Sequence, residues 1–406
     1  MCTAAQPAAA ITLQIDYTYD TSSFFGAGNP QGAAAGAQAK ASIEAAASYF
    51  SSILTDSFSA IQVPAPVQSS MFGGVASWRW QEVFSNPTTG ADVAVDNPSV
   101  PANRYVIYAG GSNLTGSTAG IGAVGGFTEN RDIGGTGQFS QSEINQITAV
   151  DDAFESSITT RGQASGFAAW GGAVSFDNSA RTWHFDKSTQ PTPGQTDFYS
   201  IALHELLHAL GFGETSDSSS TTPWESHVSG SQFFGNNAEI ANNFQPVPLS
   251  SVADIAHWAQ GTNSVVYGTS VAQEAVMTPS INDGQRKKLT ALDAAALKDI
   301  GWTVIAPPGV NGDYNGNGIV DAADYVIWRD HLNQSFTLQN DTTPGTVTQA
   351  DYNVWRSNFG ASAGSGSGLL AGGSAVPEPA SVALLVLGWA ALVPCRSRRH
   401  AVRRCK

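Results

Sequence analysis

The stretch whose reading decides the fold is His204-Glu205-Leu206-Leu207-His208-Ala209-Leu210-Gly211. On a helix, residues four apart share a face, so His204 and His208 offer two imidazole nitrogens to one metal ion. Glu205 follows the first of them and is placed to reach a water on that metal as general base. Ile201, Leu203, Leu206, Leu207 and Leu210 surround the motif with apolar side chains, which predicts a buried helix capped by Asp197 or Ser200. Gly211 permits a sharp exit. The plainer alternative is a core helix with two satisfied histidines, and the apolar context with its following glycine favours the metal.

A catalytic zinc needs a third protein ligand and an open position. The metzincin pattern puts a histidine at 214, where this chain has Glu214. The residues leave several candidates: Glu214 itself, His227, Glu225 or Glu239, and His257 beyond an insertion. His184, between Trp183 and Phe185 on an expected strand, reads as structural. One resemblance favours His257. Asp254-Ile255-Ala256-His257-Trp258, then Glu274-Ala275-Val276-Met277-Thr278-Pro279, is similar to the downstream half of leishmanolysin-like metalloproteases. In that family an insertion separates the helix motif from a third histidine, followed by a methionine turn. The resemblance therefore implies His257 as ligand and Met277 as the turn. Leu289 to Trp302 resembles the family's C-terminal helix, which ends in a Gly-Trp pair.

Upstream of the motif the pattern is mixed. Ile11 to Tyr17 alternates like a strand, and Gln31 to Phe58 carries Ile43, Ala47, Phe50 and Leu54 at helical spacing. Ile61 to Val67 reads as extended, Trp78 to Pro101 as irregular, and Tyr105 to Tyr108 as a buried strand. Gly111 to Gly137 is glycine-rich and loop-like; without a phosphate-loop lysine it holds no nucleotide site. Ser140 to Arg161 predicts a second helix. Trp170 to Phe176 and Thr182 to Phe185 predict a strand pair around Asp177-Asn178-Ser179, and thus an edge onto which a peptide adds.

The chain of 406 residues has a net charge of −14 and only 13% charged residues. No basic patch precedes the last dozen residues, which excludes a nucleic-acid partner. Cys2, Cys395 and Cys405 fall outside the expected folded region, so neither a disulfide framework nor a cysteine-held zinc is available there. No complete signal peptide is visible from Met1; the small-residue run to Ala10 fits the tail of one.

Pro307-Pro308-Gly309 marks a boundary. After it, Asp313, Asn315, Asn317, Asp321 and Asp324 fall at positions 1, 3, 5, 9 and 12 of an EF-hand-type calcium loop. Gly318 sits at position 6, and Ile319 gives its carbonyl at position 7. The final Asp in place of Glu resembles dockerin modules, which implies a cohesin-type docking partner. A second copy follows 27 residues on (Gly318 to Gly345), with Asn340, Thr342, Pro344 and Thr348 at the ligand positions, predicting a weak or absent second site. Beyond a Gly/Ser/Ala linker at 361–376, Val376-Pro377-Glu378-Pro379 leads into an apolar run and five arginines. This resembles a PEP-CTERM sorting tail, which implies export to the envelope or outside and an exosortase-type processing enzyme. The run of about 14 residues from Ala380 to Val393 is short for a span, so a processed signal fits better than a tail anchor.

These readings predict an α+β chain in four parts. They are a metzincin-like zinc protease domain over 1–306, a small helical calcium module over 309–360, the linker, and a sorting tail over 377–406. The expected activity is zinc-dependent endopeptidase, with peptide or protein substrate. The alternative from another class is a non-catalytic surface or matrix protein that docks through calcium; a third is a zinc hydrolase of non-peptide bonds. Glu205 discriminates, because a structural zinc site has no need of that carboxylate.

Overall fold

The computed structural model describes residues 11–163, 170–179, 181–213, 221–307, 309–316, 319–343 and 345–361. Glu214, Asn317, Pro344, the first ten residues, nearly all of the linker and the whole sorting tail lie outside them. Over the described residues the chain is a mixed α+β protein with seven α-helices and several small sheets.

β1 (Thr12–Asp16) and α1 (Ala33–Ile53) follow the expected pattern. Ile43, Ala46, Ala47, Phe50 and Ile53 form the buried face of α1. The helix stops five residues short of Phe58, the predicted end, because Leu54 turns to extended backbone and bridges Val304. The hydrogen bonds Thr55 N to Thr303 O (3.0 Å) and Ile305 N to Ile53 O (2.8 Å) complete this closure of the chain on itself.

Two stretches read as irregular or loop-like are strands. After β2 (Val67–Gln68), residues Gly74–Ser85 form β3 and Asp92–Asp96 form β4. Burial in β3 alternates strictly, with Ala76, Trp78, Trp80, Glu82 and Phe84 inside. A carboxylate among the inward residues hid that alternation from a hydrophobicity reading. β5 (Arg104–Ser112) contains the expected Tyr105–Tyr108 strand. Gly111 to Gly137 is no loop: it contains β6 (Gly120–Val124) and β7 (Gly126–Gly135), and β7 pairs with β3 over ten residues. Glycine signals turns in isolation, yet here it marks close backbone approach. A Cβ on Gly125 would lie 2.1 Å from the Trp170 ring.

Glu82 is enclosed in this region and accepts a hydrogen bond from the Tyr108 hydroxyl (3.1 Å). Burial pushes its carboxyl up to about 7, with the charge of Asp16 adding and the Tyr108 bond and Arg161 opposing. A raised carboxyl means the folded state holds the proton more tightly than the unfolded chain. Glu82 therefore takes away stability as pH climbs from the ordinary value of 4.5 through about 7. Relative to the wild type, Glu82→Gln should gain about 2–4 kcal/mol between pH 4 and pH 8. Urea unfolding at both pH values checks this; parallel curves would remove Glu82 from the account.

α2 (Gln141–Thr159) has a capping box in which Ser140 and Glu143 satisfy each other's backbone. β8 (Gly171–Asp177) then enters the centre of a four-stranded sheet of order β1-β5-β8-β6. β1, β5 and β8 run parallel, and the terminal strand β6 runs antiparallel to β8. The predicted pairing of 170–176 with 182–185 does not form. β9 (Trp183–His184) pairs instead, in parallel, with β10 (Thr196–Asp197). The Asp177 turn is spent on Arg181 and on the Trp183 indole, which turns the chain away from β8. The edge nearest the motif helix is therefore β6.

The motif helix α3 (Phe198–Ala209) buries every residue except Tyr199. Its buried surround is apolar apart from Ser200, His204, Glu205 and His208. After it come β11 (Val228–Ser229), β12 (Gln232–Phe233), α4 (Asn236–Ala241), β13 (Val247–Ser251) and β14 (Asp254–Trp258). The four strands form one antiparallel meander. β15 (Asn263–Val265) pairs with β16 (Ala272–Glu274), and α5 (Ala291–Asp299) follows, capped by Thr290 and Asp293.

Beyond residue 309, α6 (Ala322–Asp330) and α7 (Gln349–Asn358) pack around Tyr314, Trp328, Leu338 and Val347. The internal repeat is visible in its bonding. The Trp328 indole donates to the Thr348 carbonyl, and the Trp355 indole to the Asp321 carbonyl, both at 2.7 Å. Among the described residues no helix is long and apolar enough to cross a membrane.

Candidate metal centre

α3 is fixed at both ends. Asp197 caps its start, accepting from the Ser200 N–H (3.0 Å) and hydroxyl (2.6 Å). The same carboxylate forms a fully buried ion pair with Arg286 (2.6 Å). At the other end the Tyr105 hydroxyl donates to the Ala209 carbonyl (2.7 Å) and the Trp302 indole to the Leu210 carbonyl (2.8 Å). Gly211 then takes a φ of 112°, a conformation that favours glycine, and so turns the Phe212 carbonyl back onto His208.

His204, His208 and His257 come together, all buried. Each Nε2 lies 3.2 Å from the other two. Each Nδ1 is engaged on the outside of the triangle: His204 with the Val276 carbonyl (2.9 Å), His208 with the Phe212 carbonyl (2.8 Å), His257 with an Asp254 carboxylate oxygen (2.7 Å). These partners only accept, so each Nδ1 carries the proton and three Nε2 lone pairs face one another. Lone pairs so close call for a cation between them. A tetrahedral ion bonded to nitrogen at ~2.0–2.1 Å sets its ligands about 3.3–3.4 Å apart, matching the observed triangle and leaving a fourth position open. The residues present fit zinc.

Each outer partner is held in turn. Burial works against ionisation of Asp254, but the hydrogen bond from His257 keeps its carboxyl below the usual range. The Val276 carbonyl belongs to the turn at Met277, whose backbone is set by Asp293: its carboxylate accepts from Val276 N (3.0 Å), Met277 N (3.4 Å) and the Trp258 indole (2.9 Å). Trp258 N bonds the Met277 carbonyl, which ties this turn to β14 and hence to His257. Met277 is fully buried. Asp254→Asn keeps a hydrogen-bonding group but removes the charge behind His257, so zinc affinity should fall about 10- to 100-fold. Chelator competition reads this directly, and an unchanged affinity would demote Asp254 to packing.

Glu205 is buried, with its carboxylate beneath β6. Beside His204, a small recess with room for about one water is lined by Ser200, Ile201, Thr278 and Ile281 and includes Lys287 in its wall. The Lys287 ammonium is bound by Glu274 (2.8 Å), Thr278 (2.6 Å) and the Ser280 carbonyl (3.0 Å); burial lowers its pKa while Glu274 opposes.

The other candidate ligands are elsewhere. His227 Nε2 bonds the Asp299 carbonyl (2.9 Å), Glu225 accepts from Thr222 N (2.6 Å), and His184 Nε2 bonds the Thr189 carbonyl (3.0 Å). Glu239 lies on α4 and is not in the cluster. In the 313–324 loop, Asp324 is buried and accepts from Asn315 N (2.9 Å) and Asp321 N (2.8 Å), while Asp321 caps α6. Among the described residues these aspartates do not converge as the three histidines do. In the second copy, Asp351 is engaged by the Thr343 hydroxyl and by Thr348.

The sequence reading missed Asp254, Asp293, Arg286 and the β6 glycines as parts of the site. Thr290-x-x-Asp293 was a legible capping box. Asp254 lies only three residues from its partner His257, within the stretch quoted for the third ligand; Arg286 and the β6 glycines carry no local signal, because their partners are remote in sequence. No family model, curated protein or solved structure matches the chain.

Proposed function

We propose that the chain is an exported zinc-dependent endopeptidase of metzincin-like fold, with His204, His208 and His257 as ligands and Glu205 as general base. The observation that carries this reading is the triangle of Nε2 atoms 3.2 Å apart with every Nδ1 turned outward. Zinc held by three neutral imidazoles supplies Lewis acidity, acidifying water and polarising a carbonyl. Glu205 takes the proton of the attacking water and returns it to the leaving amine. The terminal strand β6 offers backbone groups to an extended peptide, which adds as a further strand.

The test is cleavage of an unfolded protein by the purified full chain as isolated, after chelation, and after zinc is restored. Loss and recovery of cleavage are expected. A chain that binds zinc tightly and cleaves nothing would favour the docking-protein reading.

Residues 309–360 are proposed as a dockerin-like module with calcium on Asp313, Asn315, Asn317, Ile319, Asp321 and Asp324, and a cohesin-type partner. Because the second copy carries Asn340, Thr342, Pro344 and Thr348 at the ligand positions, one calcium per chain is expected by titration. Two ions of equal affinity would contradict this. Export, with exosortase-type processing of the tail, completes the proposal.

A further inference from the structure

β6 carries Gly120-Ile121-Gly122, and alternate residues of a strand face the same side. Both glycines face Glu205. A Cβ on Gly120 would lie 2.5 Å from Glu205 Oε1 and 2.7 Å from its Cδ and Cγ. A Cβ on Gly122 would lie 2.2 Å from the Glu205 backbone oxygen. Neither glycine has a positive φ, so no turn or left-handed backbone requires glycine here. What requires it is the approach of the strand to the helix.

We propose that Gly120 is a positioning residue for Glu205: its missing side chain is the space in which the carboxylate rests. The inference depends on the peptidase reading of the site and deepens it. The two glycines differ in what they touch. At 122 the obstacle is helix backbone, which cannot yield unless strand and helix separate. At 120 the obstacle is the end of a flexible side chain, which yields by moving. Ordinary contact begins near 3.4 Å, so an alanine at 120 displaces the carboxylate by about 1 Å, a misplacement worth about 100-fold in rate.

The experiment uses the full chain loaded with zinc. Gly120→Ala should keep its zinc and its KM, lose about 100-fold in kcat, and shift the acid limb of the pH–rate profile. Gly122→Ala should lose zinc affinity as well, since it moves the helix that bears two ligands. A stability cycle isolates the contact: Gly120→Ala should lower Tm with Glu205 present and leave it unchanged in Glu205→Ala. Equal losses in both backgrounds, whether in melting or in folded yield, would overturn the proposal. So would wild-type kcat in Gly120→Ala, leaving the peptidase reading intact. A zinc-loaded wild type that cleaves nothing would remove that reading, and this inference with it.

Discussion

Glu205→Gln is expected to bind zinc as the wild type does and to lose about 10²- to 10⁴-fold in kcat against an unfolded protein substrate. The side chain is buried beneath β6, and the amide has the same shape as the carboxylate, so helix and ligands stay in place. What disappears is the capacity to take a proton from water and pass it to the departing amine. KM should therefore change little, since substrate binding does not draw on that proton. Zinc content measured on the same preparation is the control. Near wild-type turnover with full zinc would show that the base is another group.

The second large effect is on the metal itself. His257→Ala should weaken zinc binding about 10²- to 10³-fold, because a ligand's share of a typical 10–16 kcal/mol site is about 3–4 kcal/mol. It also leaves Asp254 facing a gap where an imidazole N–H had been (2.7 Å). His227→Ala, Glu225→Ala and Glu239→Ala should bind zinc normally, since the first two are committed to Asp299 and Thr222 and the third lies outside the cluster. Equilibrium competition with a chromogenic chelator separates these outcomes. Loss of zinc in His227→Ala with retention in His257→Ala would reverse the assignment of the third ligand.

How much of this the sequence carried depends on the distance over which each feature is encoded. Two ligands, the adjacent carboxylate, the Asp197 cap and the Gly211 turn lie within one helix and its ends, where spacing alone fixes geometry. The third ligand lies on a strand reached through a meander, and five residues competed for it on composition. Only the resemblance favoured His257, and the structure places that residue with His204 and His208. β6 and β7 were illegible because glycine ordinarily reports a turn, whereas those of β6 report a helix, and Gly125 between the two strands an indole, pressed against the backbone. β3 was missed because Glu82 occupies an inward position among tryptophans. The pairing of β9 with β10 rather than β8 was set by Arg181 and Trp183 reaching Asp177, a choice that local strand signals do not contain.

The bonds between residues 303–305 and 53–55 have a consequence for where this chain tolerates being cut. The Trp302 indole holds the end of the motif helix, and the three residues after it are stitched to the end of α1. Severing the backbone before Trp302 would put at risk one of the two bonds that hold the end of the helix carrying two ligands. Severing it just after Ile305 would cost none of these bonds. A chain that ends just after Ile305 thus keeps these bonds and all three histidines of the cluster.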